Sequence, residues 1–162
     1  MPINALFGLS ILMSFVAFGL VTRLYLWPWL QRTPRNEALT ALVVPHAFRF
    51  VGLSFLVPGV VAASLPSAFA APAAYGDLIA AVLAVVAVLL LRARVSWSLA
   101  MVWIFNIWGS FDLLDAMYLG RIGVGIDIGH LGAAFYIPTV IVPPLLILHG
   151  LIFWRLLQHR DV

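Results

Sequence analysis

The chain has 162 residues, of which 64% are hydrophobic and 9% charged. A soluble domain carries about a quarter charged residues, so this surface is too poor in charge to face water. The absence of cysteine excludes disulfides, thiolate catalysis, Cys-ligated metals and covalent haem attachment. The net charge of +3 comes from a basic complement that is all Arg, and these residues stand where membrane loops are expected, so the charge reads as a topology signal rather than a nucleic-acid surface.

A transmembrane helix needs about 20 mainly apolar residues. In chain order, candidate spans run over residues 4–30, 42–61, 71–91, 97–119 and 131–157. No alternating barrel strands occur, and lipid leaves the backbone no other way to satisfy its hydrogen bonds, so each span is expected to be helical. The fold class is therefore all-α: a polytopic bundle of about five transmembrane helices, forming one domain over residues 1–162. The first span lacks a basic leader and a clean cleavage site, and reads as a retained helix rather than a signal peptide.

Arg32 and Arg35 follow the first span, Arg92 and Arg94 the third, and Arg155 and Arg160 close the fifth. The loop after the second span has no basic residue, and the loop after the fourth has Arg121 alone. The positive-inside rule then puts the N-terminus outside and the C-terminus inside, as in a bacterial inner-membrane protein. Trp27, Trp29, Trp97 and Trp154 fall at the inner boundary, and Tyr75 and Tyr118 near the outer one. Pro138, Pro143 and Pro144 predict a kinked fifth span. The Ala-rich stretch 80–91 suits close helix packing.

Topology assigns a depth to every polar residue inside a span. At 1.5 Å per residue, Arg23, His46, Arg49, Asn106 and His149 all fall roughly 6–15 Å from the inner boundary, on four different spans. His46 and Arg49 are three apart and share a face. No carboxylate falls at this depth, so the Arg residues are expected to meet an anion. Arg23 has an alternative as a snorkelling residue.

The outer half is acidic. Asp112 and Asp115 are three apart on the fourth span, and Asp127 and His130 are three apart before the fifth. Asp112, Asp115, Asp127 and His130 are ligand types for a divalent metal, and the carboxylates also suit a proton relay or acid–base pair. Asp77, after Gly76 and before an apolar run, reads as a helix N-cap. Asp115 is expected to pair with Arg121. The glycine-rich segment 120–132 reads as a flexible or re-entrant outer loop over this layer. Walker, Rossmann, zincin and serine-hydrolase motifs are absent.

These residues define four readings. In the first, the protein binds a small lipid-soluble molecule in a polar intramembrane pocket and acts on it by acid–base chemistry. Asp112, Asp115 and His149 are then the catalytic candidates, and His46, Arg49, Asn106 and Tyr136 the ligand-binding ones. In the second, His46 and His149 ligate a b-type haem, or the acidic set holds a divalent metal. The third is a small proton-coupled transporter or channel subunit, and the fourth a structural subunit of an oligomer or larger complex. The lipid bilayer is the one partner common to all four.

Overall fold

A computed structural model describes residues 1–158; Arg160, counted above in the inner arginine set, lies outside the described residues. The described chain is helical, with six helices. The first, α1, is Ile3–Arg32, α2 is Arg35–Leu56, α3 is Ser67–Arg92 and α4 is Ser98–Gly123. A short α5 over Ile128–Phe135 precedes α6, Ile137–Leu157. All but α5 are long and apolar enough to cross a membrane.

Helix α3 packs between α2 and α4, and α6 packs against α4 and α1. The alanines of α3 allow the close approach: Ala80, Ala81, Ala84 and Ala87 are all buried. Helix α1 is peripheral, with Ser14 the one buried residue over Ile3–Val21. At the arginine-rich end, side chains tie helix termini together. Arg35 donates to the Leu156 carbonyl at 2.6 Å, and Arg155 to the Thr33 carbonyl at 2.5 Å. These bonds satisfy carbonyls that a helix end leaves open.

Helix α2 departs from α-geometry. It is α-helical over Arg35–Val43 and 3-10 over Val44–Leu56. A 3-10 helix has three residues per turn, so positions three apart stand in a straight row. The buried residues of this stretch are His46, Arg49, Gly52 and Phe55, one such row. The rise is also longer, which places Arg49 about 25 Å along α2 from Arg35.

The start of α2 at Arg35 and its 3-10 half correct the depth read from sequence. Counting from residue 42 at α-helical rise put Arg49 near the arginine-rich end. It lies instead in the middle of the bundle.

The apolar core is split in two. One cluster, around Leu39, Leu42, Val102, Phe105 and Ile152, fills the arginine-rich end. The other, around Phe55, Phe69, Leu113, Leu131 and Val142, fills the opposite end. The buried polar residues His46, Arg49, Asp77, Asn106 and His149 occupy the layer between them.

The expected kink in α6 is a π-turn over Ile137–Ile141, just before Pro143 and Pro144, whose rings cannot donate into the preceding turn. The glycine-rich segment folds rather than hanging loose. A π-turn over Leu119–Gly123 closes α4, and Asp127 accepts from Gly129 N at 2.9 Å to cap α5. Two backbone bonds of 2.9 Å, Ala62 N to His130 O and Ala133 N to Val60 O, fasten α5 to the α2–α3 connection.

Candidate functional site

The middle layer is organised by Arg49, which is 2% exposed. Its Nε donates to Asp77 Oδ1 of α3 at 2.7 Å, its Nη1 to the Gly109 carbonyl of α4 at 3.0 Å, and its Nη2 to Asp112 Oδ2 of α4. Three of its five N–H donors are thus used on two helices, in the forked geometry peculiar to guanidinium. These are the two side-chain ion pairs among the described residues.

This arrangement overturns the expectation that Arg49 lacks an acidic partner and awaits an anion. The predicted inner and outer layers are one cluster, because α2 carries Arg49 deeper than an α-helix would. Asp77 is no N-cap: α3 begins ten residues earlier, at Ser67, and runs through Pro72. A carboxylate in mid-span was the signal for its role, hidden by the misplaced helix start.

Three glycines, one on each of α2, α3 and α4, create the space. A Cβ on Gly52 would collide with Asp77, and one on Gly76 with the Asp112 carboxylate. A Cβ on Gly109 would stand 2.7 Å from His149 Cε1 and 2.8 Å from Arg49 Nη1. Such separations are too short for real contacts, so the cluster requires these positions to lack a side chain.

Behind Arg49 lies an imidazole pair. The rings of His46 and His149 are 4.2 Å apart between centres, and Phe105 meets His46 edge-on at 5.0 Å. Asn106 grips His149 twice. Its Nδ2 donates to the His149 carbonyl at 3.2 Å, and its Oδ1 lies 2.6 Å from His149 Nδ1. With the amide in that orientation, Nδ1 is the protonated nitrogen and Nε2 carries the lone pair. Both nitrogens of His46 and Nε2 of His149 are buried without a hydrogen-bond partner among the described residues. Any neutral imidazole bears one N–H, so His46 buries an unpaired donor at a cost of about 1–3 kcal/mol.

The haem reading does not fit this geometry. A metal between two imidazoles sits about 2 Å from each nitrogen and holds the ring centres about 6 Å apart. The tilted contact of His46 with His149 is too close for that. No group of three or more His, Asp or Glu residues gathers to hold a metal among the described residues. The proposed set Asp112, Asp115, Asp127 and His130 is therefore not brought together. Asp112 is turned to Arg49, and Asp127 is occupied in capping α5.

On the other side of the cluster is a cavity of about 90 Å³. That is several times the space one water molecule needs. Phe7 and Ile11 of α1, Phe55 of α2, Phe69 of α3, Leu113 of α4 and Leu131 of α5 contribute apolar wall, and Asp77 and Asp112 line it too. It reaches the surface at Met117 and Arg121, both of which are exposed. Ile126 and Ile128, from the glycine-rich segment and α5, form part of its wall, and Pro138 stands at the π-turn of α6.

The remaining candidates lie apart. Tyr136 is 65% exposed on the bundle surface, and Arg23 is exposed on α1. Asp115 is half-buried, is not part of the cavity lining and makes no ion pair with Arg121. His149 and Asn106 are on the far side of Arg49 from the cavity and also do not line it.

Comparison with curated proteins and with solved structures finds no match. A family model does match, over residues 6–157. The chain belongs to the family described as Domain of unknown function (DUF8737).

Proposed function

We propose that the protein binds a small lipid-soluble molecule within the membrane, in the cavity that ends on Asp77 and Asp112. The observation that carries this reading is the composition of that cavity: apolar walls from six helices converging on two carboxylates held by one buried guanidinium. Ligand sites have this character, largely apolar with a few placed polar groups. A ligand's tail would contact Phe55, Phe69 and Leu131, and its polar head would meet the carboxylates. Asp112 is the residue placed for proton exchange with such a head, and Asp77 is its neighbour in that task. His149 and Asn106 support the Arg49 cluster from behind.

We also propose that the chain forms one transmembrane domain in a bacterial inner membrane, N-terminus outside and C-terminus inside. The arginine distribution supports it, since Arg32, Arg35, Arg92 and Arg94 all stand at helix ends or in the connection at one end of the bundle. The polar layer favours binding over conduction. On the arginine-rich side of His46 and His149 the bundle is filled by the apolar cluster around Leu42, Val102 and Ile152.

The test is extraction and mass spectrometry of small molecules that co-purify with the protein. The reading predicts a defined lipophilic compound from the wild type and its loss from Ala73→Phe, which fills the cavity. Identical extracts from both proteins would contradict it.

A further inference from the structure

The arginine-rich end holds a second buried guanidinium, and no carboxylate meets it among the described residues. Arg155 is 4% exposed, close to the 2% of Arg49. Arg49 is matched by Asp77 and Asp112. Arg155 donates only to neutral oxygens, Thr33 O at 2.5 Å and Gln158 Oε1 at 2.6 Å, and its Nε is buried without a partner. The Trp154 ring, centred 6.0 Å from Arg155 Cζ, stands at the limit of a cation–π contact. Arginine does not shed its proton in a protein, so this site keeps a positive charge that nothing described offsets.

Arg35 doubles that charge. Its Nη2 donates to the carbonyl of Leu156, the residue after Arg155, while Arg155 donates to Thr33, two residues before Arg35. The two side chains therefore cross in one junction, between the α1–α2 turn and the end of α6. The Nε of Arg35 is sealed and unpartnered, like that of Arg155. Arg35 Nη1 and Gln158 Nε2 also lack a partner among the described residues, but they are open to the surface. Glu37, two residues on from Arg35, is exposed and forms no ion pair, and Asp161 lies outside the described residues.

The setting names the anion. Trp27 and Trp154 stack at 4.5 Å beside Arg155, and Trp29 is exposed on the same turn of α1 as Trp27. Tryptophans at helix ends of this kind sit at headgroup level. The anion of that level is phosphate, which guanidinium binds with parallel N–H bonds from its fork.

We infer that the junction of α1, α2 and α6 is a phosphate site, filled by the headgroup of an anionic phospholipid. The phosphate accepts from Arg35 Nη1 and Gln158 Nε2 and supplies the negative charge that Arg35 and Arg155 lack. Basic pockets between transmembrane helices bind such headgroups. A zwitterionic lipid carries its own cation beside its phosphate and offsets two arginines less well. This inference rests on the transmembrane reading and not on the cavity, whose ligand is a separate question with a separate test.

The experiment is thermal unfolding of the full-length protein, stripped of lipid in detergent and reconstituted into phosphatidylcholine nanodiscs with increasing phosphatidylglycerol. The wild-type Tm is expected to rise saturably with phosphatidylglycerol. Arg35→Gln and, independently, Arg155→Gln should each lose most of that rise. Arg35 is the less buried of the two, so it decides the matter if Arg155→Gln fails to fold. Arg92→Gln, exposed at the end of α3, removes one charge from the same end of the bundle and should keep the full rise. Inorganic phosphate added to pure phosphatidylcholine discs separates the two sources of the anion and is expected to leave Tm unchanged. A full rise from inorganic phosphate, lost in Arg35→Gln, would support the phosphate site and overturn the lipid as its occupant. An equal loss in Arg92→Gln would show a general attraction between a basic end and an anionic membrane, and would overturn the site. No dependence of the wild type on phosphatidylglycerol would mean that the chain itself offsets Arg35 and Arg155, and would also overturn it.

Discussion

Arg49 of α2 and Asp112 of α4 are joined by an ion pair across 63 residues of sequence, and Asp77 of α3 completes the same buried node. One side chain therefore fastens three helices. Replacing Arg49 by Met leaves two carboxylates buried without a cation. The expected loss is about 3–5 kcal/mol, read by denaturant unfolding in mixed micelles. Arg49→Lys retains the charge but not the fork, and should lose a smaller part of that stability. Wild-type stability in Arg49→Met would show that the node does not hold the bundle.

The glycines of the node are expected to tolerate no methyl group. Gly109→Ala must displace His149 or Arg49, and Gly52→Ala must displace Asp77. Overpacking of this kind costs about 1–3 kcal/mol. Gly150→Ala on α6, where a Cβ meets nothing within 4 Å, is the control and should be neutral or slightly stabilising. Equal behaviour of the three variants in the same unfolding assay would contradict the close approach.

Asn106 holds His149 through both its carbonyl and its ring. Asn106→Leu should cost about 1–3 kcal/mol, because it leaves the buried Nδ1–H of His149 without a partner. A double-mutant cycle with His149→Phe should show strong coupling between the two positions. Additive losses would mean that the two residues act separately.

What was legible from the sequence divides along one physical line. Composition fixes spans well, because lipid demands about 20 apolar residues whatever the neighbours are. All five predicted spans overlap helices long enough to cross. Their ends were harder to place. Arg35, Asn36, Glu37 and Thr40 make the first turns of α2 polar, so the apolar window opened only at residue 42. Pro72 similarly concealed that α3 begins at Ser67.

Those two errors moved Arg49 and Asp77 apart in depth and hid their pairing. The 3-10 geometry was half visible in the three-residue spacing of His46 and Arg49, and extending the row to Gly52 and Phe55 would have revealed it. Which helices stand side by side was not legible, since it depends on tertiary packing.

The purified protein is expected to lack a Soret band, including after incubation with haem. The His46–His149 contact is too close to admit iron between the rings. A stable bis-His absorption spectrum that is lost in His149→Phe would require the two rings to separate and would contradict the packed pair.

The chain contains no cysteine, so single-cysteine topology mapping needs no prior substitution. In intact bacterial cells, a membrane-impermeant maleimide should label Gly125→Cys, in the exposed connection after α4. Ala93→Cys, at the arginine-rich end, should react only after permeabilisation. The reverse pattern would invert the proposed orientation.

The most direct measurement is native mass spectrometry of the wild type and of Ala73→Phe, released from micelles under the same conditions. The wild type should carry a small adduct of fixed mass that survives mild activation, and Ala73→Phe should fly as the bare chain. A wild type without adduct after purification in its native lipids, or an adduct retained at equal occupancy when the cavity is filled, would contradict a ligand seated on Asp77 and Asp112.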